Sequence, residues 1–371
     1  MKKVRKKEKK KPLIPFPAKI LLTAALISVV IFEIAKRNAD FAEWMTSNPG
    51  YLVRRALAFV SDVIPFSLGE VLVVLSPLIV ISVIVSAARM KGGRARIRFL
   101  AGFLAFVSIF YTSYVFMLGV GYQRTKLNSR LGFASVEVTE QALADTMTAL
   151  RSECESLLDE IDYLENGSSY SDISFDEMCA SILEGYERLE ADYPELNIKT
   201  FDSRAKQVYL SRALTAFEIS GVYTFFTGES NVNVYYPEYG VPFTIAHELA
   251  HQRGIARENE ANFVAFLACV RADSAYVRYS AYMNMFEYVA SALSRTNKDR
   301  FREIYLTADE RIRGEISAFN EFYKAHKNEL MAKISDFLND NYLKASGTEG
   351  IISYGLVVEL CVSYYSDPDR R

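Results

Sequence analysis

His247, Glu248 and His251 stand in the order H-E-x-x-H, a spacing that on a helix forms a chemical device. Histidines four apart share one helix face, so both imidazoles can reach a single metal ion. The glutamate between them is placed to take a proton from water that the ion activates. The chain has 3 histidines, and two of them are here. Catalytic zinc usually takes three protein ligands and keeps one position for water, which leaves one ligand to find. Glu258 and Glu260 are the candidates.

The elements that position these groups can be read from the flanks. Val241-Pro242-Phe243-Thr244-Ile245-Ala246 supplies a helix start followed by apolar residues that can bury the helix's other face. Gly254, three residues after His251, suits a left-handed cap that ends the helix and turns the chain back. A second helical stretch runs from near Arg257 through Cys269. Folded as a hairpin about residues 254 and 255, the two helices set Glu258 opposite His251 and Asn262 opposite His247. Glu258 then completes the ligand set, and Asn262 holds the outer nitrogen of His247, the support that metal-bound histidines normally have. Glu260 points about 200° around the helix from Glu258. It stays the alternative ligand, through an irregular turn.

Hydrolysis also calls for a donor to the developing oxyanion. Tyr235, Tyr236, Tyr354, Arg257 and His326 are the candidates, and no spacing singles one out. His326 lies in a polar helical stretch, Phe322 to Lys327, that reads as solvated surface. Glu229 reads as a turn residue, with capture of a substrate amino terminus as the sharper alternative.

H-E-x-x-H followed by E-x-x-A-N, Glu258 to Asn262, resembles the zincin metallopeptidases. Their gluzincin branch follows H-E-x-x-H with a glutamate and an acidic residue four positions later. Asn262 departs from that pattern, and a neutral amide polarises a histidine less than a carboxylate does. Gly254 resembles the metzincin glycine, but the third histidine of that group would fall at Arg257, which cannot ligate zinc.

More of the chain is similar to an uncharacterised bacterial family, known only as a domain of unknown function and presumed to hold membrane-bound zinc metallopeptidases. The N-terminal apolar stretches, Phe226 to Asn233, the Pro242-Phe243-Thr244 entry, H-E-L-A-H-Q-x-G and E-N-E-A-N-F carry that likeness. The resemblance implies a zincin-like domain with one zinc ion and leaves the substrate open. It also implies an edge strand beside the catalytic helix that holds an extended peptide by main-chain hydrogen bonds. Here that strand is Asn231 to Tyr236, with Asn231, Asn233 and Tyr235 on the substrate, or else a plain structural hairpin.

Residues 13–35, 66–88 and 99–122 are apolar runs, each long enough to cross roughly 30 Å of hydrocarbon. The first exceeds a signal-peptide core and shows no small-residue cleavage site, so it reads as a retained anchor. The basic segment 1–12, with Lys2, Lys3, Arg5, Lys6, Lys7, Lys9, Lys10 and Lys11, precedes it. Arg89, Lys91, Arg94, Arg96 and Arg98 lie between the second and third runs, which marks both basic segments as cytoplasmic. Residues 123–371 then form an extracytoplasmic domain on a multi-pass protein of the bacterial plasma membrane. Charge divides at the same place, with a net +12 over residues 1–120 and −14 over 121–371. The acidic half argues against nucleic acid as a partner. Tyr51 to Phe66 suits an amphipathic helix lying on the membrane surface or packed against the outer domain.

The expected fold is mainly α: three N-terminal transmembrane helices, then a mostly helical domain with a small β-hairpin or sheet. Amphipathic patterns predict helices over 139–164, 176–193, 204–219, 258–293 and 300–343. Strands are expected over 221–226 and 231–236. Residues 354–365 read as a core helix too short to span a bilayer. Cys154, Cys179, Cys269 and Cys361 allow two disulfides in three pairings, or serve as small buried side chains. The expected function is a membrane-anchored zinc metallopeptidase that cuts a peptide or protein substrate. A zinc hydrolase of cell-wall amides and a non-catalytic membrane receptor or scaffold are the alternatives.

Overall fold

The structure, a computed structural model, describes residues 12–133, 136–348 and 356–367. The chain opens with α1 (Phe16–Ala35), followed by α2 (Ala39–Met45), a π-turn at Thr46–Gly50 and α3 (Tyr51–Asp62). Next come α4 (Leu68–Arg89) and α5 (Gly93–Tyr114), which continues through a π-turn and a short 3-10 turn to Gln123. α1, α4 and α5 with its extension are each long and apolar enough to cross a membrane.

α1 and α5 lie side by side and parallel. Arg98 donates to the Pro12 carbonyl at one end, and the Phe32 and Tyr114 rings meet at the other. α4 runs the opposite way and returns the chain from α3 to the start of α5. Arg89, Lys91, Arg94, Arg96 and Arg98 therefore gather at the end of these helices away from α2 and α3. The third apolar helix begins at Gly93, six residues earlier than its apolar run, because long arginine stems let a helix extend into a polar rim. The basic residues from Lys2 to Lys11 lie outside the described residues.

α3 is amphipathic, as its pattern predicts, and packs one face against the rest of the chain. Arg54, Ala58 and Ser61 are buried on one face, while Leu52, Phe59, Val60 and Val63 are exposed on the other. Its inner face meets the rest of the chain and its outer face is apolar.

After α6 (Leu127–Arg130) and α7 (Glu140–Leu157) comes a small antiparallel pair, β1 (Asp162–Tyr163) with β2 (Ser169–Tyr170). α8 (Phe175–Asp192), β3 (Lys206–Gln207), α9 (Ser211–Ala216), β4 (Gly221–Thr224) and β5 (Glu229–Val232) follow. Seven helices complete the described chain: α10 (Gly240–Gln252), α11 (Glu258–Cys269), α12 (Ala275–Thr296), α13 (Lys298–Leu306), α14 (Glu310–His326), α15 (Glu329–Ala345) and α16 (Val357–Ser366).

α11 is the centre of the core. From Glu260 to Cys269 every residue is buried, as expected of a helix that is apolar all round. α8, α10, α12 and α16 pack about it, and α7 lies along α12. α16 is the buried C-terminal helix that its apolar sequence predicts. The four cysteines are buried free thiols on α7, α8, α11 and α16, so they act as packing groups and form no disulfide.

Three expectations about elements change. The long patterns over 258–293 and 300–343 are broken by Ser274 in the first and by Asp309 and Asn328 in the second, each of which accepts a backbone N–H and caps a new helix. Within 204–219 only α9 is helical, and Lys206–Gln207 instead pair in parallel with Asn231–Val232. The sheet order is therefore β3-β5-β4, so the second strand of the expected hairpin is central and β4 is an edge.

An acid also lies at the edge of the core. Glu287 of α12 is half-buried, accepts a 2.6 Å hydrogen bond from the Tyr239 hydroxyl, and is pushed up to about 7 by its loss of solvent. The folded protein holds this proton more tightly than the unfolded chain, so stability is greatest at low pH and falls as pH rises from the ordinary glutamate range toward 7. Glu287→Gln should raise Tm at pH 8, by on the order of 3 kcal/mol of stability, and leave it nearly unchanged at pH 4. Calorimetry of both proteins at the two pH values checks this, and an equal shift at both would contradict it.

Candidate metal centre

The site is built on α10, α11 and the turn that joins them. His247 and His251 project from one face of α10, and Gly254 ends that helix with φ at +92°. Gly254 N–H donates to the His251 carbonyl and Ile255 N–H to the Ala250 carbonyl, the paired bonds of a Schellman cap. The chain reverses, and Glu258 enters at the first residue of α11.

The three side chains converge. His247 Nε2 is 3.2 Å and His251 Nε2 3.6 Å from Glu258 Oε2, and the two imidazole nitrogens are 3.1 Å apart. Around a tetrahedral zinc with ligands at 2.0–2.1 Å, neighbouring ligand atoms stand about 3.3 Å apart, so the set fits such an ion. His251 Nδ1 lies 2.8 Å from the Ile255 carbonyl oxygen; donating there turns Nε2 toward the shared point as an acceptor. His247 Nδ1 is buried and has no protein partner.

Electrostatics agree with the geometry. Burial alone would raise the Glu258 carboxyl, but His251 and His247 outweigh it and hold it far below the usual carboxylate range. Burial opposes charge on His251 as well, yet Glu258 lifts it to about 9. The cluster thus favours positive charge at its centre. Glu248 differs: burial dominates and pushes it up to about 6, against the pull of both histidines. Its Oε2 is buried with no hydrogen-bond partner.

β4 closes one side of the site. A Cβ on Gly221 would fall 2.6 Å from Glu248 Oε1, so glycine is what lets the strand approach the helix. The Tyr223 ring stacks on His251, and its backbone N–H bonds to Glu248. Tyr122, at the end of the third apolar helix, and Tyr342 of α15 sit within electrostatic reach of Glu258.

Residues 51–362 match the family described as Protein of unknown function (DUF3810). The chain belongs to this family. No curated protein and no solved structure matches it. The matched stretch starts at the first residue of α3, so the family's shared sequence takes in α3, α4 and α5 along with the triad.

Of the expected site residues, His247, Glu248, His251 and Glu258 come together, and Glu260 does not. Glu260 accepts from Leu127 N–H and from Arg257 Nη1 on the far side of α11. Asn262 does not reach His247; its amide donates to the Tyr288 hydroxyl of α12 at 3.4 Å, a partner from a helix that the local pattern does not reveal. Asn231 and Asn233 are structural. The first bonds to the Val222 carbonyl and Thr224 Oγ1, the second to Thr215 Oγ1 and the Ile219 carbonyl. Tyr235 lies beyond β5, where its hydroxyl pairs with His326 Nε2 at 2.9 Å.

The other candidates are also engaged elsewhere. Arg257 donates to the Tyr122 and Arg124 carbonyls, and Tyr236 packs on Phe319 and Phe322. Tyr354 lies outside the described residues. Glu229 is neither turn nor exposed: it pairs with Lys206 Nζ at 2.6 Å and accepts from the Leu68 and Gly69 N–H groups at the start of α4. Sequence reading missed Arg54 of α3, whose Nη2 donates to the Thr46 carbonyl and lies 2.6 Å from where a Cβ on Gly254 would stand.

Two substitutions separate ligand from scaffold. Glu258→Ala should abolish stoichiometric zinc binding by the purified full chain, whereas Glu260→Ala should keep it while lowering Tm. Metal analysis after dialysis decides this, and loss of zinc from Glu260→Ala alone would refute the assignment. Gly254→Ala should destabilise by more than the roughly 1–2 kcal/mol of left-handed strain, because the methyl also displaces Arg54; a chemical melt reads the difference.

Proposed function

We propose that this protein is a membrane-anchored, zinc-dependent metallopeptidase, with a zincin-like domain on the outer face of a bacterial plasma membrane. The observation that carries the reading is Glu248. It is a buried carboxylate one residue from His247 and three from His251, with one oxygen unpartnered. A carboxylate placed so beside the metal ligands can serve as a general base.

His247, His251 and Glu258 would hold the ion. Bound there, zinc supplies a Lewis acid that polarises the scissile carbonyl and makes water a stronger acid. Glu248 takes the proton of the attacking water and passes it to the leaving amine. The Tyr223 N–H holds one of its oxygens and leaves the other free to work. β4, as the edge beside α10, takes the place of the expected 231–236 strand in holding an extended substrate.

The orientation rests on charge. The arginines at the joint between α4 and α5 sit at the end of the apolar helices opposite the triad, and clustered basic residues stay on the cytoplasmic side.

Glu248→Gln should retain zinc and lose hydrolysis by at least about 10²-fold, the scale of general-base catalysis. The assay uses a mixed peptide pool and cell-wall fragments as substrates. Cleavage of a cell-wall amide alone would change the substrate class. Equal turnover by wild type and variant on both would make the centre non-catalytic.

A further inference from the structure

The turn between the ligands and the strand beside Glu248 both rest on the apolar helices. Gly254, three residues past His251, is packed on Arg54 of α3, whose opposite face is the exposed apolar row Leu52, Phe59, Val60 and Val63. Ala256, two residues before Glu258, meets Gly121 at the end of the third apolar helix, where a Cβ on that glycine would lie 3.0 Å from the alanine's. Beside Glu248, β4 leads into Phe225 and Phe226, whose rings stand 5.9 Å from Tyr114 and 5.2 Å from Phe110 of α5.

These contacts set a height. A helix lying flat is about 10 Å across, so the turn on the inner face of α3 is one helix diameter above its apolar outer face. Along β4, the four steps from Gly221, beside Glu248, to Phe225, against α5, cover about 13 Å at strand rise. Tyr114 lies eight residues, about 12 Å of helix, before the end of the third apolar run at Tyr122, so this path and the contact of Gly121 with Ala256 place the triad no more than roughly 10–15 Å above the level at which the apolar helices end. The strand is also pinned there: Glu229 holds the first N–H groups of α4, and Gly228 packs on Leu57 and Ala58 of α3.

β4 has β5 on one side and no strand on the other among the described residues, and Val222 at its middle is 46% exposed. An extended chain laid along that edge would have one end at Glu248 and the other at the outer ends of the apolar helices. A span of up to 10–15 Å takes about four extended residues, and the headgroup layer lies within it.

We propose, on the peptidase reading above, that the site acts on polypeptides anchored in the same bilayer, by a lipid or by a helix of their own, and cuts them within about four residues of where the anchor leaves the hydrocarbon.

The test uses the full-length, zinc-loaded protein in liposomes and a random-sequence peptide pool in three forms: free, coupled to a maleimide-headgroup lipid, or fused to a membrane-spanning helix. Anchored forms should be cut at least about tenfold faster than free peptide, by effective concentration, with cuts confined to the residues nearest the anchor and absent in Glu248→Gln. Cleavage of only one anchored form names the anchor. Free peptide cut equally fast, or cuts spread along the anchored chains, overturns the proposal.

A second measurement needs neither zinc nor turnover. The native cysteines are buried, so a spin label on Val222→Cys reports the height of β4. It should relax strongly with a nickel-chelating lipid in the same bilayer. Weak relaxation overturns the proposal whatever the peptides do. Strong relaxation without cleavage dependent on Glu248 overturns the peptidase reading, and this inference with it.

Discussion

Two helices leave each other through a reversal at Gly254, yet three side chains they carry stay within 4.8 Å of one another. The rest of the structure depends on that turn. Its internal bonds form a helix cap, but its position is set from outside by arginines. Arg124 donates to the Gly254 carbonyl, Arg257 donates to the Tyr122 and Arg124 carbonyls, and Arg54 fills the space a side chain at 254 would take. Arg124 is balanced by Glu43 of α2, and Arg257 by Glu260. Arg54 is 1% exposed and, among the described residues, has no carboxylate partner and leaves Nε and Nη1 without partners. Burial draws its pKa down to about 10. An unpaired buried charge is expensive, and here the cost falls on the contact between α3 and the ligand turn.

The sheet repeats the arrangement with opposite charge. One carboxylate, Glu229, ties β5 to β3 through Lys206 and ties both to α4 by taking its first two N–H groups. A negative group at a helix start is favoured by the helix dipole as well as by the unmade bonds there. Glu70 returns the contact by accepting from the Tyr209 and Leu210 N–H groups ahead of α9. The segment after residue 122 and the apolar helices thus exchange side chains in both directions, and residue 122 is no seam in the packing.

What the sequence reveals about this site follows the range of the interaction. His247, Glu248, His251 and Gly254 are legible because the helix period and a cap fix their relation within eight residues. Glu258 is legible one step further, through the geometry of a hairpin. Asn262 and Glu229 were misread because their partners, Tyr288 and the start of α4, come from segments that no local pattern connects. The strand at 206–207 is two residues long and pairs in parallel, so its pattern could not compete with the helical one around it. Long helical repeats hid the breaks at Ser274, Asp309 and Asn328, since a short break need not disturb the apolar phase. Arg54 looked like the polar edge of an amphipathic helix, whereas its burial is a property of the assembled fold.

The reach of these contacts also dictates an order of assembly. Arg124 grips a carbonyl 130 residues further on, and the start of α4 waits for a carboxylate 161 residues downstream. Synthesis proceeds from the amino end, and distant pairings form late because the intervening loop must first be closed. The apolar helices are therefore made, and can be inserted, before the residues that will sit on them exist. The apolar helices serve the later chain as a template, on which the turn at Gly254 is folded.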